Sequence, residues 1–364
     1  MFKKIINCFD KAPVNVGRQR EIDIAKGIAL LFMTFSHSIE ILGWFFDPSL
    51  SPVISWHDFD MVIKAIAPVF LFSMGISMCY SKKKSALDLF RRGIGMIGLV
   101  LLLETCRTVI PTFIEWLIFR DFGSIRYAFQ ILCVDVLQFA AMTLFVMALF
   151  RKLNLKPWAM LLVSGVLSVI GQLLAGVSTG SQVGDYLVGY LWNSHPTAYF
   201  PLLNWLIVPV MGYAFGNLWL YLKDKATFFK IVTPLGGCIS VLYFLSMLLV
   251  GKCYYFSGEN YCGLGILDAV FMFVIFLTIL GVSYYLAGHK QSFMWLASMG
   301  TRVNSVYCIH WTIYAFLYLI LRSTVAENYV PMWTVVPVGV LVISLANIIS
   351  MVYKNREYQK IHKK

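Results

Sequence analysis

The sequence predicts an all-α fold, a polytopic bundle of transmembrane helices with both termini cytoplasmic. Three observations carry that prediction. The composition is 59% hydrophobic and only 13% charged, with a mean hydropathy of +0.74, whereas soluble domains carry about a quarter charged residues. Apolar runs of about 20 residues, the length that crosses a hydrocarbon core, recur along the whole chain. The lysines and arginines are partitioned between the gaps that separate those runs, as membrane topology requires.

Ten spans are expected, near 24–46, 59–80, 92–118, 127–150, 157–177, 200–222, 229–250, 264–287, 293–321 and 330–353. Residues 1–23 form a basic segment with no short apolar core and small-residue cleavage site, so the first span is expected to be retained. Residues 24–353 read as one transmembrane domain and 354–364 as a basic cytoplasmic tail. Of the 30 lysines and arginines, only Arg120, Arg126, Lys252 and Arg322 fall on the opposite side, with Lys64, Arg107 and Arg302 inside spans. The positive-inside rule then puts both ends in the cytoplasm.

The same distribution sets aside nucleic acid as a partner, although the formal charge is +12. No phosphate loop, no dinucleotide-binding glycine pattern and no Cys/His spacing for a metal site is present. Most of the eight cysteines read as small buried hydrophobes. Cys253 and Cys262 share one outer loop, where a disulfide is open. The longest outer segment, 178–199, reads first as an aromatic belt. Gly212 and Gly216 form a small-xxx-small pair that reads as close helix packing.

Polar residues inside the spans are the candidates for chemistry. His37 lies about 20 Å along the first span, past the midplane, and Glu40 shares its face. His57 opens the second span, with Asp58, Asp60 and Lys64 in its first turns. Glu104 and Arg107 form an i,i+3 pair on the third. Asp135 and Gln138 lie on the fourth, Asn204 on the sixth, Asp268 on the eighth, and Arg302, Asn304 and His310 on the ninth. Each such group costs about 2–4 kcal/mol in a membrane, so together they should face one another or a wet cavity. Some read equally well as satisfied pairs, Glu104 with Arg107 and Asp60 with Lys64. A histidine beside carboxylates suits general-base work, hence acyl transfer. The same vocabulary serves a proton-coupled transporter or glycolipid flippase.

Several stretches, in order over residues 18–315, resemble the transmembrane acyltransferase superfamily. The resemblance is closest to heparan-alpha-glucosaminide N-acetyltransferase and its bacterial relatives, which are related to the acyltransferase-3 family. Arg20-x-Ile22-Asp23-Ile-Ala-Lys26-Gly27-Ile-Ala leads to Met33 and His37 like the family's opening helix. Ala67-Pro68-Val69-Phe70-Leu71-Phe72-Ser-Met-Gly75 resembles its second helix, and Phe90-Arg91-Arg92-Gly93 the start of its third. Val136-Leu137-Gln138-Phe139-Ala140, Tyr199-Phe200-Pro201-Leu202-Leu203-Asn204-Trp205, and Met299-Gly300-Thr-Arg302-Val-Asn304-Ser305-Val306-Tyr307-Cys-Ile309-His310 resemble later elements. Lys26 stands where the family has arginine, and His57 is displaced from the family's loop histidine.

The resemblance implies an acyltransferase of a bacterial inner membrane that takes acyl-CoA, acetyl-CoA above all, from the cytoplasm. The acceptor would be a hydroxyl or amine of an extracytoplasmic or lipid-linked glycan, and no metal is implied. His37 or His57, oriented by Asp58, Asp60 or Glu40, would be the base. Arg91 and Arg92, with Lys82–Lys84, would meet the donor's phosphates. Arg107, Gln138 or Asn304 would stabilise the oxyanion. Lys26, Asn204, Arg302 and His310 complete the donor-side set. The acting histidine, the acceptor and the oligomeric state, a homo-oligomer included, stay open.

Overall fold

The computed structural model describes residues 2–45, 66–120, 133–195, 198–250, 261–289, 292–324 and 330–362, which are all-helical apart from one isolated bridge, Phe9–Leu222. In chain order the helices are α1 (Phe2–Ile6), α2 (Arg20–Gly43), α3 (Pro68–Tyr80), α4 (Ala86–Phe119), α5 (Val136–Lys152), α6 (Pro157–Leu173), α7 (Gln182–Val188), α8 (Leu202–Trp219), α9 (Lys225–Val250), α10 (Ile266–Gly288), α11 (Met294–Gly300), α12 (Val303–Thr324) and α13 (Val335–His362). Seven of these are long and apolar enough to cross a membrane: α2, α4, α8, α9, α10, α12 and α13. α3 and α6 are shorter apolar helices.

Local chemistry explains where the boundaries depart from the expected spans. α4 begins at Ala86 rather than near 92, because Ser85 and Asp88 close a capping box: Asp88 N–H donates to Ser85 Oγ (3.1 Å) and Ser85 N–H to Asp88 Oδ2 (3.3 Å). α5 begins at Val136, with Asp135 as an extended N-cap whose Oδ1 accepts from Val136 N–H (2.6 Å). Asp135 therefore marks a helix start instead of lying mid-span. α8 is interrupted at Leu206, since Pro209 offers no N–H to the carbonyl of Trp205. The expected ninth span divides into α11 and α12 around a turn at Thr301–Arg302.

The chain forms two compact units. The first comprises Met1–Gln19, Pro68–Leu101 and Phe129–Tyr285. Its centre is the pair α3 and α8, whose backbones meet at glycine. A Cβ on Gly75 would strike the carbonyl of Pro209, one on Gly212 the carbonyl of Phe72, and one on Gly216 the Cα of Ile76 and Sγ of Cys79. That is the small-residue packing expected of Gly212 and Gly216, with Gly75 as their counterpart. Beside it, Leu144, Met147, Met160, Leu206 and Val210 form an apolar core.

The second unit comprises Arg20–Ala67, Leu102–Ala128 and Leu286–Lys364. Here α2 packs on α11, α12 and α13. Gly27 faces the carbonyl of Leu296 and Gly300 that of Asp23, each too close for a Cβ. Two motifs of the resemblance, Lys26-Gly27 and Met299-Gly300, are thus two sides of one backbone contact. Further along α2, Ile39 and Leu42 pack with Val335 of α13.

Candidate active site

α2 and α12 bring the polar residues of the second unit together. The His37 ring lies against Trp311 (centroids 4.1 Å apart) and is stacked on His310 (5.4 Å, 27° between planes). On the same face of α2, His37 Nδ1 lies 3.1 Å from Glu40 Oε2. If Nδ1–H donates to that carboxylate, the neutral imidazole carries its lone pair on Nε2. His310 is fully buried, and its Nδ1 lies 3.2 Å from the Val306 carbonyl. A carbonyl can only accept, so that contact places the proton on Nδ1 and the basic lone pair again on Nε2.

The third contributor is the part of α4 in this unit. The Arg107 guanidinium lies 5.0 Å from the centroid of the Trp311 ring, within cation–π range. Arg107 also pairs with Glu104, whose other oxygen accepts from Thr108 Oγ1 (2.9 Å). α4 is not a plain α-helix here. Thr105–Val109 forms a π turn in which Ile110 N–H reaches the Thr105 carbonyl. The cause lies in the sequence: Pro111 has no N–H to give the Arg107 carbonyl, so the ladder shifts at that point. Such bulges often accompany functional sites.

Hydroxyls support the α2–α12 contact. Tyr314 Oη donates to the Thr34 carbonyl (2.8 Å) and lies 2.5 Å from Ser38 Oγ. Trp311 Nε1 is buried and has no hydrogen-bond partner among the described residues. An indole N–H is a donor only, so this one is left with its hydrogen-bonding capacity unused. Farther along α12, Arg322 pairs with Glu115 of α4.

Of the residues singled out from the sequence, His37, Glu40, Arg107 and His310 meet in this cluster. His57, Asp58 and Asp60, and with them Lys64, lie outside the described residues, as does Cys253. Lys26 pairs locally with Asp23 (3.1 Å). Arg302, 7% exposed, binds Ser298 and Asn347, and Asn304 lies on an exposed rim beside it.

Arg91, Arg92, Gln138 and Asn204 belong to the first unit. Arg91 is exposed and Arg92 half-buried, while Gln138 is buried in the first turn of α5. Asn204 is fully buried against Gly171 and donates to the Leu264 carbonyl (3.4 Å). That contact ties α8 to α6 and to the start of α10. Trp311, Tyr314 and Ser38 went unremarked in the sequence. The available signal was the His-Trp dipeptide, with Tyr307, His310 and Tyr314 recurring on one helical face.

A model of the heparan-alpha-glucosaminide N-acetyltransferase catalytic family matches residues 18–250. The chain belongs to that family. No curated protein matches it. With seven helices of membrane-crossing length and composition, this family member is an integral membrane acetyltransferase. The matched stretch contains His37, Glu40, Glu104 and Arg107 but ends before α12. His310 and Trp311 are therefore contributed by a part of the chain beyond the family match.

Proposed function

We propose that the protein moves an acetyl group from acetyl-CoA, entering at the cytoplasmic ends of the helices, to a hydroxyl or amine of an extracytoplasmic or lipid-linked sugar. The observation that carries the reading is the contact of His37 with Glu40 on one side and with Trp311 and His310 on the other. Glu40 would hold the imidazole through Nδ1–H, leaving Nε2 to take the proton of the attacking hydroxyl or amine. As the acceptor attacks the thioester carbonyl, negative charge develops on its oxygen. The Arg107 guanidinium and the Trp311 indole N–H are the donors available to that charge. Collapse of the tetrahedral species breaks the C–S bond, and CoA leaves as thiol after taking up a proton. The His37 imidazolium formed in the first step would supply that proton, which returns the ring to its neutral form.

Glu104 keeps Arg107 in place, and the π turn determines where Arg107 stands. Lys82, Lys83, Lys84 and Arg91 are exposed and would draw anions to the surface of the first unit. All ten expected spans and the cytoplasmic placement of both termini belong to this same proposal.

The test is to incubate the purified protein with radiolabelled acetyl-CoA and measure release of free CoA with and without a glucosamine-containing acceptor. Saturable, acceptor-stimulated CoA release is the expected result. Folded protein that neither binds nor cleaves acetyl-CoA would overturn the reading.

A further inference from the structure

A second polar site lies away from the histidine cluster, where α12 begins and α13 nears its end. A cleft of about 280 Å³ is lined there by Arg302, Asn304, Ser305, Ser350, Tyr353 and Lys354, among others. Two cations line it and no carboxylate does. Arg302 is buried, yet its partners, Ser298 and Asn347, are all neutral acceptors. Among the described residues no carboxylate meets it, and a buried guanidinium so placed favours an anion beside it.

Two further features aim at the same space. α12 is 22 residues long, and its first N–H groups, at Val303, Asn304 and Ser305, lack intrahelical acceptors and face the positive end of the helix dipole. Ser350 is 1% exposed, and its Oγ has no hydrogen-bond partner among the described residues. Helical serines and threonines usually bond back to the carbonyl four residues earlier, as Thr34, Ser38, Ser77, Ser240 and Ser283 do in this protein. Ser350 does not, and the residue lines the cleft.

From these features we infer that the cleft is a phosphoryl-anion subsite. The phosphate oxygens would accept from the α12 amides, the Ser350 hydroxyl and the one remaining N–H of Arg302, on Nη1, with Lys354 at the mouth. Two sources carry this chemistry: the nucleotide end of a CoA thioester and the headgroup of an anionic phospholipid. The site lies at the helix ends that the basic residues assign to the cytoplasm, where both are present. The nucleotide source alone rests on the acetyl-transfer reading.

The test uses the full-length protein in detergent with adenosine 3′,5′-bisphosphate as probe and inorganic pyrophosphate as competitor. Vesicles of phosphatidylglycerol form the lipid arm. Saturable binding that weakens with salt is expected, and at least tenfold weaker binding in Ser305→Asp and Lys354→Gln. An acidic residue in the first turn of a helix suits its dipole, so Ser305→Asp keeps the fold while placing negative charge in the cleft. Nucleotide binding displaced by pyrophosphate marks the CoA source, and binding of phosphatidylglycerol alone marks the lipid. Either supports the subsite. No binding of any of the three by protein with an unchanged Tm overturns it, as does binding that both variants leave unaltered. Phosphate binding without CoA release would sink the acetyl-transfer reading and spare the subsite. CoA release with an unchanged KM in both variants, and no lipid binding, would do the reverse.

Discussion

The α3–α8 pair of the first unit and the α2–α12 contact of the second solve the same problem in opposite ways. Helices in lipid gain little from hiding apolar side chains, because the surroundings are equally apolar. α3 and α8 answer with glycine: Gly75, Gly212 and Gly216 let the backbones touch, and the polar contacts between them at Cys79, with the Tyr213 carbonyl and Asn217, involve no ionised group. α2 uses that device near its start, where Gly27 meets α11, and again where Gly339 of α13 packs against Phe35 and Ser38. Farther along it faces α12 through His37, Ser38 and Thr34 against His310, Trp311 and Tyr314. The first arrangement is all structure. The second carries an insertion cost of about 2–4 kcal/mol for each ionisable group, and it retains two imidazoles and a guanidinium in return.

Substitutions should separate the two regions, the largest effect first. His37→Asn should lower acetyl-CoA turnover by about 100-fold or more while leaving detergent Tm nearly unchanged; turnover within twofold of the parent would remove His37 from the site. Gly212→Val should do the opposite. Its side chain would meet the Phe72 backbone, so stability should fall by about 1–3 kcal/mol or more, read as a lower Tm with activity lost only in step with unfolding.

Glu40→Gln keeps an acceptor for Nδ1–H but removes the charge. It should cost activity about tenfold, less than removal of the imidazole, with kcat rather than KM carrying the change. Tyr314→Phe removes the hydroxyl that holds Thr34 and Ser38 and should lower stability by about 1 kcal/mol, with catalysis little affected. If catalysis instead falls as far as in His37→Asn, Tyr314 belongs to the chemistry and the contrast between the two regions needs redrawing.

The smallest effect concerns the segment 178–195 of the first unit. Burial holds the His195 imidazole below its ordinary 6.5, although Asp185 opposes the shift. The Thr179 N–H, then the Ser178 hydroxyl, hold the half-buried Asp185 carboxyl below its ordinary 3.8. For both groups the open segment binds protons more readily than the closed one, so closure is favoured at high pH and weakens on acidification. Loosening should begin as pH falls below 6.5 and continue below 3.8 as Asp185 protonates. Trp192, whose Nε1 donates to the Val177 carbonyl (3.1 Å), reports it by fluorescence, with Trp192→Phe as the blank. A signal flat from pH 7 to 3 would show that neither group holds the segment.

The helical, membrane-embedded character of the chain was legible without coordinates, because run length and composition follow from the hydrocarbon core alone. So were His37, Glu40, Arg107 and His310, since an ionisable group in a span is costly wherever it stands. Helix ends were less legible: the Ser85–Asp88 box and the Asp135 cap each move a boundary by several residues. The partner of His37 was not legible at all, because Trp311 reads as one more apolar residue until α12 is laid against α2.

The sequence by itself determined which ionisable residues lie within apolar runs and that Gly212 and Gly216 make a close-packing pair. Each of these follows from local covalent or transfer chemistry. Only the tertiary structure decided which charges meet. It gave Lys26 to Asp23 and Arg302 to Asn347, and it brought Arg107 to the ring that His37 also touches. The physical reason is that a buried polar group must find a partner, but several partners satisfy it equally, and the packing of whole helices selects among them.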